Sequence, residues 1–196
     1  MPVTPVRRKN KDYRSREYLT AGEINRLLET AKVYGRYRER NEALVLMMFR
    51  HALRVTEACE MRWDAISLLD KEIFITRKKG SDNGVHPLPA DEVEALTVLR
   101  QLNPKNSYVF VGERGEPLTP AAVQRLLTRL GAAAGLNIKV HPHQLRHACG
   151  YYLVNAGYST RFIQDFLGHR DIRHTERYTK LNSRRFVTID WNRKED

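Results

Sequence analysis

The chain has 196 residues, 41% hydrophobic and 29% charged, with a formal net charge of +11. Its longest apolar run, Ala43–Phe49, is far short of the ~20 residues that span a bilayer, no apolar stretch follows the charges at the start, and two cysteines make no disulfide framework, so membrane, secreted and fibrous classes are set aside and a cytoplasmic setting is expected. The basic excess points to a polyanion, nucleic acid first.

The first sixteen residues carry six basic side chains, one acidic one and two prolines, which predicts a basic arm over 1–17, equally a plain solvated tail. Thr20 to Glu23 has capping-box spacing, and Ile24, Leu27, Leu28 and Ala31 repeat at helical period. Asn41 to Leu53 is apolar almost all round and predicts a buried helix. A short helix is expected over Val55–Trp63. Three short apolar runs follow, Ile66–Leu69, Glu72–Arg77 and Val85–Leu88. They are separated by Asp70-Lys71 and by a basic turn ending in Gly84, the pattern of a small three-stranded antiparallel sheet. Helical period returns over Asp91–Leu102, and Tyr108–Val111 reads as extended. Thr119 and Pro120 form an N-cap and N1 pair for a helix to about Ala134. Helices are further expected from Pro142 to about Gly157, over Thr160–Leu167 before Gly168, and over Asp171–Thr179. The segment 181–196 is polar apart from Phe186, Val187, Ile189 and Trp191. The expected fold class is α+β, mainly helical, with one domain over 18–180. No Gly-rich phosphate loop follows a strand.

One cluster stands out, His141-Pro142-His143-Gln144-Leu145-Arg146-His147. On a helix His143 shares a face with Arg146 and His147. Two histidines four apart can hold zinc. Arg146 would set a fixed cation beside the metal, however, and neither a Glu between the histidines nor a spaced third ligand is present. Two readings remain. One is helix capping and packing, which suits His141 and His147. The other is a phosphate site, in which Arg146 offers a planar fork and His143 exchanges a proton near neutral pH. Further along come Leu167-Gly168-His169-Arg170 and then Tyr178, nine residues after that histidine.

Taken together, these motifs resemble the catalytic domain of the tyrosine recombinases, the phage-integrase family. That family has a His-x-x-Arg box, here His143 to Arg146. It has a Leu-Gly-His segment, here Leu167 to His169, and a tyrosine nine residues on, here Tyr178. A box resembling Gly-Leu-Arg-x-x-Glu is present as Ala52-Leu53-Arg54-Val55-Thr56-Glu57, followed by Met61-Arg62-Trp63. The family's lysine, in a turn just before a glycine, matches Lys79-Gly80. The resemblance covers about residues 18–180. The small size and the phrases HPHQLRHACG, IQDFLGHRDIRHT and RYT look most like the fimbrial phase-variation recombinases of enteric bacteria, which also lack a separate core-binding domain.

The resemblance implies a metal-free and ATP-free cleavage with no cofactor. Tyr178 would attack the scissile phosphate, and Arg54 and Arg146 would clamp its non-bridging oxygens. His169 would add a donor, and His143 would assist proton transfer. Lys79, with Lys78 as competitor, would protonate the leaving 5′ oxygen, and Glu57 would orient the site. DNA-backbone contacts are expected from Arg7, Arg8, Lys9 and Lys11 in the arm, and from Lys78, Arg125, Arg129, Arg161, Arg170 and Arg173. The implied partners are double-stranded DNA with inverted-repeat sites, a homotetramer on that DNA, and DNA-bending accessory proteins. The tail 181–196 is a candidate protomer contact. The implied outcome is inversion of a short promoter-bearing element. The competing readings are a DNA-binding regulator on the same fold without cleavage and a relaxing topoisomerase.

Overall fold

The computed structural model describes residues 17–78 and 81–180. The arm residues Arg7, Arg8, Lys9 and Lys11, the turn residue Lys79 and the tail from Leu181 onward lie outside the described residues.

Helix α1, Ala21–Val33, starts where the sequence predicts. Thr20 accepts from the Glu23 backbone, and Glu23 Oε2 accepts from the Thr20 N–H at 2.8 Å. Its Ile24, Leu27 and Ala31 are buried against α2, Arg38–Arg50, which is buried from Ala43 to Met48. Here the structure departs from the expected 41–53 helix. The apolar pattern runs on to Leu53, but the helix stops at Arg50 because Ala52 turns left-handed, at φ 50°. Ala52 and Leu53 stay fully buried, so periodicity alone could not mark the break.

Helix α3 is the single short stretch Val55–Cys59, not Val55–Trp63, and one 3-10 turn covers Trp63–Ala65. The sheet is antiparallel in the order β1 (Ile66–Ser67), β2 (Glu72–Ile75), β3 (Gly84–Pro87); β1 and β2 are shorter than their apolar runs and β3 begins one residue earlier than its run. Alternation sends Ile73 and Ile75 inward and Glu72 and Phe74 outward. Ile73 faces Ile66 on one side and His86 on the other. Helices α4 (Ala90–Leu102), α5 (Pro120–Ala133), α6 (Pro142–Asn155), α7 (Thr160–Leu167) and α8 (Arg173–Lys180) complete the order. Thr119 caps α5 with Pro120 at its first turn, as predicted. Gly168 ends α7 at φ 67°.

The larger core joins α1, α2, the sheet, α4 and α5. A smaller one holds Ala52, Cys149, Leu153, Val154, Ile163, Leu167 and Tyr178, where α6, α7 and α8 meet the α2–α3 turn. The motif residues cluster around this second core. Among the described residues no helix is long and apolar enough to cross a membrane.

Candidate active site

The left-handed turn at Ala52 aims two consecutive carbonyls, of His51 and Ala52, into the protein. Arg146, on α6 and only 5% exposed, donates through Nη1 to the Ala52 carbonyl and through Nη2 to the Leu167 carbonyl at 2.7 Å. Arg54 sits at the N-cap of α3, where Glu57 Oε2 accepts from its backbone N–H at 2.9 Å. Glu57 Oε1 accepts from Arg54 Nη1 at 2.7 Å, and Ser81 Oγ accepts from Nη2 at 2.7 Å. The i, i+3 pair of Arg54 and Glu57 is therefore present. Burial pushes the Glu57 carboxyl up, but the Arg77 and Arg54 guanidinia outweigh it and hold it below its ordinary range. Burial, then the neighbouring Arg77 and Arg54, brings Arg146 down to about 10, so it remains a cation at neutral pH.

The turn between β2 and β3 is pinned to the Leu-Gly-His segment. The Asp82 N–H donates to the Gly168 carbonyl at 3.1 Å, and Ser81 pairs in antiparallel fashion with His169. A Cβ on Gly168 would lie 2.6 Å from the Asp82 carbonyl oxygen, so this approach needs glycine twice over, for space and for its positive φ. His169 Nδ1 is 2.9 Å from Thr175 Oγ1. Burial, then Arg146, lowers His169 to about 3, so it is neutral, and an Nδ1 that accepts from Thr175 leaves the proton on Nε2. Lys78 is exposed and ion-pairs with Glu60.

Tyr178 lies on α8 and is 1% exposed. Its hydroxyl is 2.8 Å from His147 Nδ1, and its ring rests on Gly150, one turn further along α6. Burial pushes the phenol up to about 12 against the pull of Arg146, and burial together with Arg177 lowers His147 to about 4. The phenol therefore keeps its proton beside a neutral imidazole. His143 is exposed at the start of α6, near enough to His147 to depress its protonation.

Arg54, Arg146 and His169 thus gather around the Ala52 turn and the Ser81–His169 pairing. Tyr178 packs on the helix that carries Arg146. The outer basic residues Arg125, Arg129, Arg161, Arg170 and Arg173 are exposed. Three of them are partly neutralised, Arg161 by Asp165, Arg170 by Asp82 and Arg173 by Asp171. Sequence reasoning missed Arg77, Ser81 and the hydroxyl contact of His147. Nothing in the composition separates Arg77 from the lysines beside it. The spacing of Arg146, His147 and Gly150 along one helix is visible only once Tyr178 is laid across it. Among the described residues no three His, Cys, Asp or Glu side chains gather as metal ligands.

The sequence profile described as the phage integrase family matches residues 17–185. The type 1 fimbriae regulatory protein FimB of Escherichia coli K12 is 42% identical over 191 residues, covering 94% of each chain. The crystal structure of XerA recombinase superposes with a TM-score of 0.78 at 29% identity, over 99% of this chain and 68% of that one. XerH site-specific recombinase, in a post-cleavage complex with a palindromic difH substrate, gives 0.75 at 25% identity, over 91% and 54%.

Proposed function

The chain belongs to the phage integrase family and is a site-specific tyrosine recombinase that cuts and rejoins DNA, and from that premise we propose how its residues divide the work. Tyr178 is the nucleophile. Its Oη–H bond breaks as Oη bonds to the scissile phosphorus, the 5′ oxygen leaves with a proton, and a 3′-phosphotyrosine ester remains. The ester keeps the phosphoryl group activated, so rejoining needs no ATP. Arg54 and Arg146 hold the two non-bridging oxygens, where fixed guanidinia stabilise developing charge better than mobile water. His169 donates from Nε2, and His143 exchanges the nucleophile's proton with solvent. Lys79 is assigned the leaving-group proton because Lys78 is engaged by Glu60.

The observation that carries this reading is the convergence of Arg54, Arg146 and His169 on the Ala52 turn, with Tyr178 packed on the Arg146 helix. The likeness to FimB supports inversion of a short promoter-bearing element between inverted repeats. Exchange of four strands calls for four protomers on two sites, and the apolar residues of the tail 181–196 are assigned to the contact between them. The arm Arg7, Arg8, Lys9 and Lys11, with Arg125, Arg129, Arg161, Arg170 and Arg173, tracks the phosphate backbone. DNA-bending proteins assist the synapse.

The test is covalent trapping on a nicked suicide duplex whose sequence the protein selects from a randomised pool. A slow denaturing-gel band that disappears in Tyr178→Phe is expected. Tight binding without a band would favour the non-cleaving regulator.

A further inference from the structure

We propose that Arg77 is a positioning residue of the cleavage reaction, one that holds the Arg54 and Arg146 guanidinia in register without touching the phosphate; this rests on the recombinase reading above. The Arg77 side chain is 1% exposed. Nη1 donates to Glu57 Oε2 at 2.9 Å and to the Ala52 carbonyl at 3.2 Å. Nη2 donates to the His51 carbonyl at 3.0 Å and to the Phe166 carbonyl at 3.1 Å. These acceptors lie on the α2–α3 turn, on α3 and near the end of α7. One side chain thereby joins the first arginine box to the segment that ends in Gly168-His169. Its backbone N–H donates to Asn83 Oδ1 at 2.8 Å, so the β2–β3 turn is tied in as well.

Each clamp arginine shares an acceptor with Arg77. The Ala52 carbonyl receives Arg77 and Arg146, and Glu57 receives Arg77 on one oxygen and the Arg54 side chain on the other. Remove Arg77, and Glu57 keeps its contacts to Arg54 and to the Lys78 backbone N–H but loses its tie to the His51 and Ala52 carbonyls and to α7, while the Ala52 carbonyl is left to Arg146. The Arg77 cation keeps Glu57 ionised, but toward Arg146 it is unfavourable, lowering that group's proton affinity, so added positive charge is not what the clamp gains from Arg77. What it supplies is geometry. A planar fork with several donors can serve four acceptors at set angles, and an ammonium cannot. The His51 end is fixed in turn, with Nε2 3.0 Å from Glu92 Oε2 and Nδ1 3.2 Å from His86 Nδ1.

Arg77→Lys and Arg77→Met are compared with wild type in single-turnover cleavage of the suicide duplex, alongside duplex affinity and thermal midpoint. Leu27→Ala, in the larger core, controls for stability loss alone. Each duplex is made with an ordinary scissile phosphate and with a neutral methylphosphonate, which needs no charge clamp. Arg77→Lys is expected to cleave the ordinary duplex at least tenfold slower with affinity changed less than threefold, and the defect should shrink at least fivefold on the methylphosphonate. An equal defect on both duplexes, a defect no larger than that of Leu27→Ala, or no defect would overturn the positioning role. If Arg77→Met does not fold, Arg77→Lys carries the comparison alone. A wild-type band lost in Tyr178→Phe tests the recombinase reading separately, so failure of one is not failure of the other.

Discussion

The phenolic oxygen of Tyr178 lies 2.8 Å from Nδ1 of His147, while the ring behind that hydroxyl lies on the bare Cα of Gly150. The two contacts are one helical turn apart on α6, so a single helix face seats both ends of the side chain. A phenol near 12 beside an imidazole near 4 keeps its proton. As the proposed nucleophile, Tyr178 would have to leave this seat to attack a phosphate.

Gly150→Ala puts a methyl group 2.9 Å from the tyrosine ring, inside contact distance. Overpacking of this kind costs about 1–3 kcal/mol, which lowers the thermal midpoint by about 3–10 °C in a chain of this size. The displaced ring should also react faster with tetranitromethane, read at Tyr178 by peptide mapping. A wild-type midpoint together with unchanged nitration would show that the ring does not depend on this seat.

Glu57→Gln removes a carboxylate that faces both Arg54 and Arg77. Breaking a buried ion pair from one side costs about 3–5 kcal/mol, and cleavage should fall with it. The native carboxyl titrates below its ordinary 4.5, so its contribution is complete above that pH and fades as pH drops through the lowered native value. Urea unfolding of the variant should have a shallower acid limb below about pH 4.5. An unchanged limb would place the acid sensitivity elsewhere.

His86, His147 and His169 resist protonation in the folded chain, at about 3, about 4 and about 3 against an ordinary 6.5, in each case through burial first. The unfolded chain takes up these protons as pH falls below 6.5 and the native chain does not. Stability is thus full above 6.5 and declines from there down to about 3. More than one proton is involved, so the slope of unfolding free energy should exceed about 1.4 kcal/mol per pH unit near pH 5. Urea midpoints between pH 7.5 and 4.5 measure it, and a flat profile would contradict the neutral histidines.

Gly168→Ala strains the backbone and drives the β2–β3 turn off the Leu-Gly-His segment. A non-glycine residue in this conformation costs about 1–3 kcal/mol before the clash with the Asp82 carbonyl is counted. Cleavage should fall by more than tenfold while duplex affinity changes little. Equal cleavage by the variant would mean that the docking of the turn is dispensable.

Much of the frame was legible because local chemistry spelled it out. Thr20 with Glu23, Thr119 with Pro120, and Gly168 after Leu167 each marked a helix end that the structure has. The motif residues Arg54, Glu57, Arg146, His169 and Tyr178 fall around one small core, with Tyr178 inside it, where core packing is the plain reading of a tyrosine. The end of α2 was misjudged because the residues after the break are as buried as those before it, and alanine gives no sign of a positive φ. Arg77 was hidden for a related reason. In a run of three basic residues, one buried among carbonyls reads like any other. Its role depends on His51 and Phe166, which are distant in sequence.

The seating of Tyr178 bears on how the protein moves along a chromosome. A basic protein meets an enormous excess of ordinary duplex while it searches, and phosphates of that duplex lie against its surface throughout. Burial holds the Tyr178 phenol protonated at neutral pH, and the ring is enclosed among α6, α7 and α8. With Tyr178 as the proposed nucleophile, a buried and protonated hydroxyl keeps chance encounters with duplex from becoming strand breaks.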